Sequence, residues 1–197
     1  CVSKGRQGKE LAELWELAQA GVIAFSDDGS PVSDSNLMRQ ALSYSSALGL
    51  SVINHCEVTE LSRNGLTNEG WVSSLLGVQG VPNSAEEIMV ARDIELAGLT
   101  GGRVHIAHAS TRGSVDLIRR AKERGLGVTC EVTPHHLTLT DEAALGPDAG
   151  PAGPLSAESY DTDAKVAPPL RSAKDVEAIV AALKEGVVDF IATDHAP

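Results

Sequence analysis

At 197 residues, 42% of them apolar but only 3% aromatic, the chain is long enough to bury one sizeable core built from Ala, Val, Leu and Ile. Its 27 acidic against 16 basic residues give a net charge of −11, which argues against a nucleic-acid or anionic-membrane partner. Neither an apolar run of about 18 residues nor a signal-peptide pattern occurs, and the three cysteines, Cys1, Cys56 and Cys130, are too irregular for a disulfide framework or a cysteine zinc site, so a reducing, cytoplasmic setting is expected.

Lys9 to Ala20 places Leu11, Leu14, Trp15, Leu17 and Ala18 on one stripe, which predicts a helix closed by Gly21. Val22 to Phe25 reads as a short buried strand running into Ser26-Asp27-Asp28-Gly29. Cap residues between Ser33 and Asn36 predict a helix from Leu37 to Leu48, ended by Gly49. Ser51 to Asn54 is the next strand and leads into His55; the polar stretch from Glu57 to Gly80 is expected to be a long loop with some helix. Ala85 to Ala97 predicts a helix with Ile88, Met89 and Ile94 facing inward, and Arg103 to Ala107 a strand. Ser114 to Arg124 follows as an amphipathic helix and Gly127 to Val132 as a strand. The Ala/Gly/Pro/Asp-rich stretch Asp141 to Thr162 lacks periodicity and reads as a surface excursion. Ala173 to Lys184 is a further helix, and Val187 to Ala192 the last strand.

Five strands separated by helices predict βαβ architecture and one parallel sheet, with strands apolar on both sides. No linker divides the chain, so residues 1–197 are expected to form a single domain. An open doubly wound sheet and a (β/α)8 barrel both fit this count. Acids and histidines at the ends of many different strands favour the barrel, because an open sheet gathers its ligands at one switch point. A complete barrel has eight strands and about 250 residues, so the expected fold is a partial barrel. The chain also starts at Cys1, within a segment that reads as internal.

Four strands deliver Asp or His at their carboxyl ends: Asp27 and Asp28, His55, His108, and Asp194. Alternation sets Val104, Ile106 and His108 on one side and His105 and Ala107 on the other, so His105 and His108 are not expected in one site; His108, at the end, is the candidate. The same rule puts Asp194 with Ala192 and His195 with Thr193. It leaves Asp27 and Asp28 undecided, and allows at most one of His135 and His136 to point inward. Imidazoles and carboxylates without thiolates suit zinc or another divalent metal in a catalytic site, where a second carboxylate can carry a proton. Each residue also has a plainer reading. Asp28 before Gly29 fits a turn, His55 or His108 alone fits a hydrogen-bonded interior histidine, Asp194 fits a helix cap, and Cys56 fits a small buried filler. Coincidence at four strand ends favours the joint reading.

The stretches FSDDGSPV (25–32), NHCE (54–57), HIAHAST (105–111), EVTPHHL (131–137), APPLR (167–171) and ATDHAP (192–197), with Lys4-Gly5 through Leu14, resemble type I dihydroorotases of the amidohydrolase superfamily, in matching order over nearly the whole chain. The resemblance implies a partial (β/α)8 barrel corresponding to strands 4–8. It also implies a zinc centre, two ions in the complete site, that opens or closes the cyclic amide of dihydroorotate in pyrimidine synthesis. By the same resemblance Asp28 is the bridging carboxylate, and His55 and His108 are ligands of one metal. Asp194 would touch the other metal and carry the proton. Ala167 stands where the family commonly has a substrate-binding Asn. The family's HxH pair and its neighbouring Arg have no counterpart here, and the histidine that usually follows DHAP would come after Pro197. An internal fragment, inactive in isolation, is therefore expected. The family further implies a homo-oligomer and an association with aspartate transcarbamoylase. Two alternatives accompany this reading: a hydantoinase- or allantoinase-like hydrolase, which usually carries a carboxylated lysine in place of Asp28, and a non-catalytic scaffold.

Overall fold

The computed structural model describes residues 1–146 and 159–195. In chain order they form α1 (Leu14–Gln19), β1 (Ala24–Ser26), α2 (Ser35–Leu48), β2 (Ser51–Asn54), α3 (Thr59–Ser62), β3 (Thr67–Asn68), α4 (Trp71–Leu76) and β4 (Gly80–Val81). There follow α5 (Ser84–Thr100), β5 (Arg103–Ile106), α6 (Arg112–Glu123), β6 (Val128–Val132), α7 (Pro134–Thr138), α8 (Ala173–Lys184) and β7 (Phe190–Ile191). Five strands make one parallel sheet in the order β1-β2-β5-β6-β7.

The strand order follows the chain without reversal. Right-handed crossovers between successive parallel neighbours put every connecting helix on the same face. Helices α2, α5, α6 and α8 accordingly pack side by side in that order. They bury Phe25, Val52, Val104, Ile106, Val128, Cys130 and Val132, the alternate strand residues that form the core with Met38, Val90, Ile118 and Ile179. A sheet with no switch point and helices on one face is the barrel pattern rather than the doubly wound one.

The other face departs from expectation, because the strands are not apolar on both sides. Register pairs Ile53 with His105 and His105 with Thr129, so these three share the face that the helices leave uncovered. There His105 bonds Thr129 Oγ1 at 2.8 Å and Glu131 Oε2 at 3.2 Å, and its ring stacks on Phe190 with centroids 5.1 Å apart.

Local signals fared unevenly. Strand β2 and helix α8 have the expected bounds. Helix α2 begins two residues early, capped by Asp34, whose Oδ1 accepts from Leu37 N at 2.6 Å, and ends at Gly49 with φ of 70°. Asp34→Ala is expected to destabilise the fold by about 1 kcal/mol, read by chemical denaturation.

The predicted first helix is shorter than expected, because the backbone of Lys4 and Ala12 pairs with Glu10 and Val2, and an isolated bridge joins Ser3 to Leu11. Glu57 to Gly80 is more structured than a loop, carrying α3, α4 and the paired strands β3 and β4. On α5, Met89 and Ile94 are buried, but Ile88 is exposed because it lies roughly opposite the stripe that faces the sheet. The last strand is only two residues long. Of the excursion 141–162, residues 147–158 lie outside the described residues; its flanks are joined by a bridge between Leu145 and Tyr160, and Tyr160 Oη donates to Leu66 O.

Candidate metal centre

The carboxyl ends of β1, β2 and β5 lie side by side, which brings together three of the four candidate ligands. Nδ1 of His55 and Nε2 of His108 are 2.9 Å apart, and Asp28 Oδ1 lies 3.9 Å from the first and 3.6 Å from the second. Both imidazoles are buried, whereas Asp28 is about half exposed.

Contacts distant in sequence separate the two neighbouring aspartates. Asp27 is buried and accepts from the backbone N–H groups of Val2 and Ser3 at 2.8 to 3.2 Å and from the Ser3 hydroxyl. It fastens the amino-terminal segment to the sheet. Asp28 is left free to face the histidines.

His55 follows Asn54 directly and takes the uncovered face by simple alternation with Ile53. His108 does not. Alternation with Val104 and Ile106 would send it under the helices, but the strand ends at Ile106 and His108 has φ of 35°. This left-handed residue turns its imidazole back toward His55. His105, by contrast, shares the face of His55 yet stays with Thr129 and Glu131, lower in the sheet.

Charge matches geometry. The His108 imidazole holds the Asp28 carboxyl down at about 2, against a smaller opposing effect of burial. Burial alone would lower the pKa of His108, but the carboxylates of Asp28, Asp194 and Glu86 together outweigh it and the net shift is upward. Glu57, which the sequence reading passed over, accepts from His55 Nε2 at 3.2 Å, and its own pKa is lowered by that contact. With Nε2–H committed to Glu57, the lone pair of Nδ1 faces Asp28 and His108, the outer carboxylate arrangement that orients metal-binding histidines.

These residues fit a cation. Metal–ligand bonds of about 2.0–2.2 Å let two donors of one ion stand at most about 4.2 Å apart, and all three measured separations are shorter than that. Among the described residues this is the group of His, Cys, Asp and Glu side chains gathered closely enough to hold a metal.

The fourth candidate, Asp194, stands apart from that group. It is exposed, has φ of 53°, and lies close enough for its charge to favour protonation of His108 and His135. Of the histidine pair, His136 is the buried one. Thr133 Oγ1 at 2.7 Å and Pro168 O at 3.0 Å hold it, and burial with the nearby His135 lowers its pKa to about 4. Ala167 is exposed, on a cis bond to Pro168. The residues after it reach the site: Pro168, Pro169 and Arg171 line a small pocket with His55 and Glu57. Cys56 is buried, as expected of a small interior residue, but its thiol also donates to Asp93 Oδ2 at 3.5 Å, and burial pushes its pKa well up.

A Dihydro-orotase-like family model matches residues 1–114. The chain is 57% identical over 196 residues to a dihydroorotase of Pelotomaculum thermopropionicum and 52% identical over 196 residues to one of Acetivibrio thermocellus. In both comparisons all of this chain is matched against 43% of the relative, so the chain spans about two fifths of the relatives' length. Among solved structures it is similar to a dihydropyrimidinase from Brevibacillus agri, with a TM-score of 0.71 and 23% identity over 92% of this chain and 39% of that one. It is also similar to a D-hydantoinase from Thermus, with a TM-score of 0.72 and 23% identity over 93% and 40%.

Proposed function

Because the chain belongs to the dihydro-orotase-like family, we propose that it carries one part of the metal centre of a dihydroorotase, the reversible hydrolysis of (S)-dihydroorotate to N-carbamoyl-L-aspartate. The observation that supports this most directly is the convergence of Asp28, His55 and His108 from three neighbouring strand ends.

In this reading Asp28, His55 and His108 hold zinc, with a second zinc in the complete site. The metal supplies polarisation of the ring carbonyl and acidification of the attacking water. Glu57 keeps the His55 ring in the tautomer that offers Nδ1 inward. Asp194 accepts the proton of the water as its oxygen bonds to the carbonyl carbon. It then gives that proton to the ring nitrogen as the carbon–nitrogen bond breaks. The Ala167–Pro169 segment lies on the substrate side, with Ala167 offering no polar group of its own.

The same reading treats residues 1–197 as one domain, a barrel segment inactive when separated from the rest of its site. It also carries a cytoplasmic, homo-oligomeric enzyme acting on a small molecule and able to associate with aspartate transcarbamoylase. No helix of the described residues is long and apolar enough to cross a membrane.

The test is dihydroorotate hydrolysis by the full-length protein, with and without chelator. Activity is expected to vanish on metal removal and return with zinc. Turnover unaffected by the chelator would count against the proposal, and preference for hydantoin or allantoin in the same assay would move the activity to the sister class.

A further inference from the structure

Helix α5 carries two buried carboxylates, Glu86 and Asp93, on the stripe that otherwise buries Met89, Val90 and Ala97. They are two turns apart and so face the same way. Burying a carboxylate inside an apolar stripe is costly unless it is paired and hydrogen-bonded, and both of these bond to the loops that bear the metal-binding residues.

Asp93 works on the first two loops. Its Oδ2 accepts from Asn54 Nδ2 at 2.6 Å and from the Cys56 thiol at 3.5 Å, which fixes the residues on either side of His55. Asn54 Oδ1 in turn accepts from Val32 N at 3.0 Å. Arg92, ion-paired with Asp93 at 2.7 Å, donates to the carbonyls of Val32 and Ser33 at 2.9 and 3.1 Å. The segment leading away from Asp28 is thereby tied to the same carboxylate as His55.

Glu86 works on the third loop. Its Oε1 accepts from the N–H groups of Ser110 and Thr111 at 2.9 and 3.2 Å, and its Oε2 takes the Ser110 hydroxyl. Ser110 is two residues after His108, whose left-handed backbone needs an anchor on its far side.

We infer that α5 is the positioning element of the metal centre, with Asp93 setting the Asp28 and His55 loops and Glu86 setting the His108 loop. Neither carboxylate touches the three candidate ligand side chains, so both are positioning residues. The inference rests on the metal-centre reading above.

The experiment compares D93N and E86Q with the wild-type full-length protein. Zinc affinity is read by chelator competition, and ligand geometry by the absorption spectrum of the cobalt(II)-substituted protein. Each variant is expected to bind zinc about 10- to 100-fold more weakly, the range for outer groups that orient metal ligands, and to show an altered cobalt spectrum. Ile118→Val, a core change on α6 away from the loops, serves as a control for general destabilisation and is expected to leave both readings unchanged. Two milder changes, Cys56→Ala and Ser110→Ala, each remove a side-chain donor to one of the two carboxylates without altering charge, the second also removing the acceptor of Arg171 Nε, and are expected to shift both readings the same way by smaller factors. They decide the question if D93N or E86Q does not fold. Wild-type affinity and spectrum in these variants, in a protein that loses zinc on His55→Ala, would overturn the positioning role alone. So would an equal loss in the Ile118→Val control. A wild-type protein that binds no zinc or cobalt would overturn the metal-centre reading and this inference together.

Discussion

Under the proposed mechanism, Asp194→Asn is expected to lower kcat of the full-length protein for dihydroorotate about 10²- to 10⁴-fold, the range for a lost general acid–base. KM should change little, and zinc at the proposed Asp28, His55 and His108 centre should stay bound. Asn is the informative substitution because it keeps the shape and tolerates the left-handed backbone that Asp194 adopts with φ of 53°. What it loses is the ability to take and return a proton. The residue suits that task because it is exposed and stands outside the gathered ligand group, yet is near enough for its charge to act on His108 and His135. Steady-state kinetics with metal analysis on the same preparation checks this. A kcat within threefold of wild type would remove Asp194 from the proposed mechanism.

Arg171→Met should produce the largest loss of stability, about 3–5 kcal/mol, since it strips one partner from a buried charged network. The guanidinium is 2% exposed. Its Nε donates to Ser110 Oγ at 3.0 Å, and Nη1 donates to Asn68 Oδ1 at 3.1 Å and Val81 O at 2.9 Å. Nη2 lies 3.9 Å from Glu86. Removing the cation leaves Glu86 with the Ser110 and Thr111 donors but no opposite charge, and leaves the Val81 carbonyl and Asn68 short of a donor. The double variant Arg171→Met with Glu86→Gln should recover part of the loss, because the two side chains share one network. Denaturant unfolding measures both. By contrast, deleting Arg124 from its exposed pair with Glu95 is expected to change stability little. An equally small effect at Arg171 would mean that the buried network is not what joins the APPLR segment to the site.

These two residues show different degrees of legibility. Asp194 could be proposed from the sequence because an apolar run ends close by, and in parallel sheets chemistry gathers at such ends. Arg171 sits in a stretch noted only for its likeness to the dihydroorotases, and nothing nearby in sequence says that an arginine there is buried. Its partners are 61 to 103 residues away along the chain. Glu86 and Asp93 did leave a signal: two acids two turns apart, in phase with Met89, Val90 and Ala97. Ile88, expected to face inward, lies roughly opposite that stripe and is exposed, so a pattern that includes it is out of phase with both acids.

Periodicity, caps and strand ends are properties of a few consecutive residues. They suffice for the alternation of strand and helix, for the bounds of β2 and α8, and for His55, which reaches the site by unbroken alternation from Ile53. What remained open turned on groups brought together from distant segments. Asp27 is diverted from the site by Val2 and Ser3, and Asp28 is thereby left to it. His108 arrives through a left-handed residue just past a strand, whose far side is anchored by Glu86. Alternation holds only while the backbone stays extended, and where it stops, the direction of a side chain is set by whatever the neighbouring loops can bond.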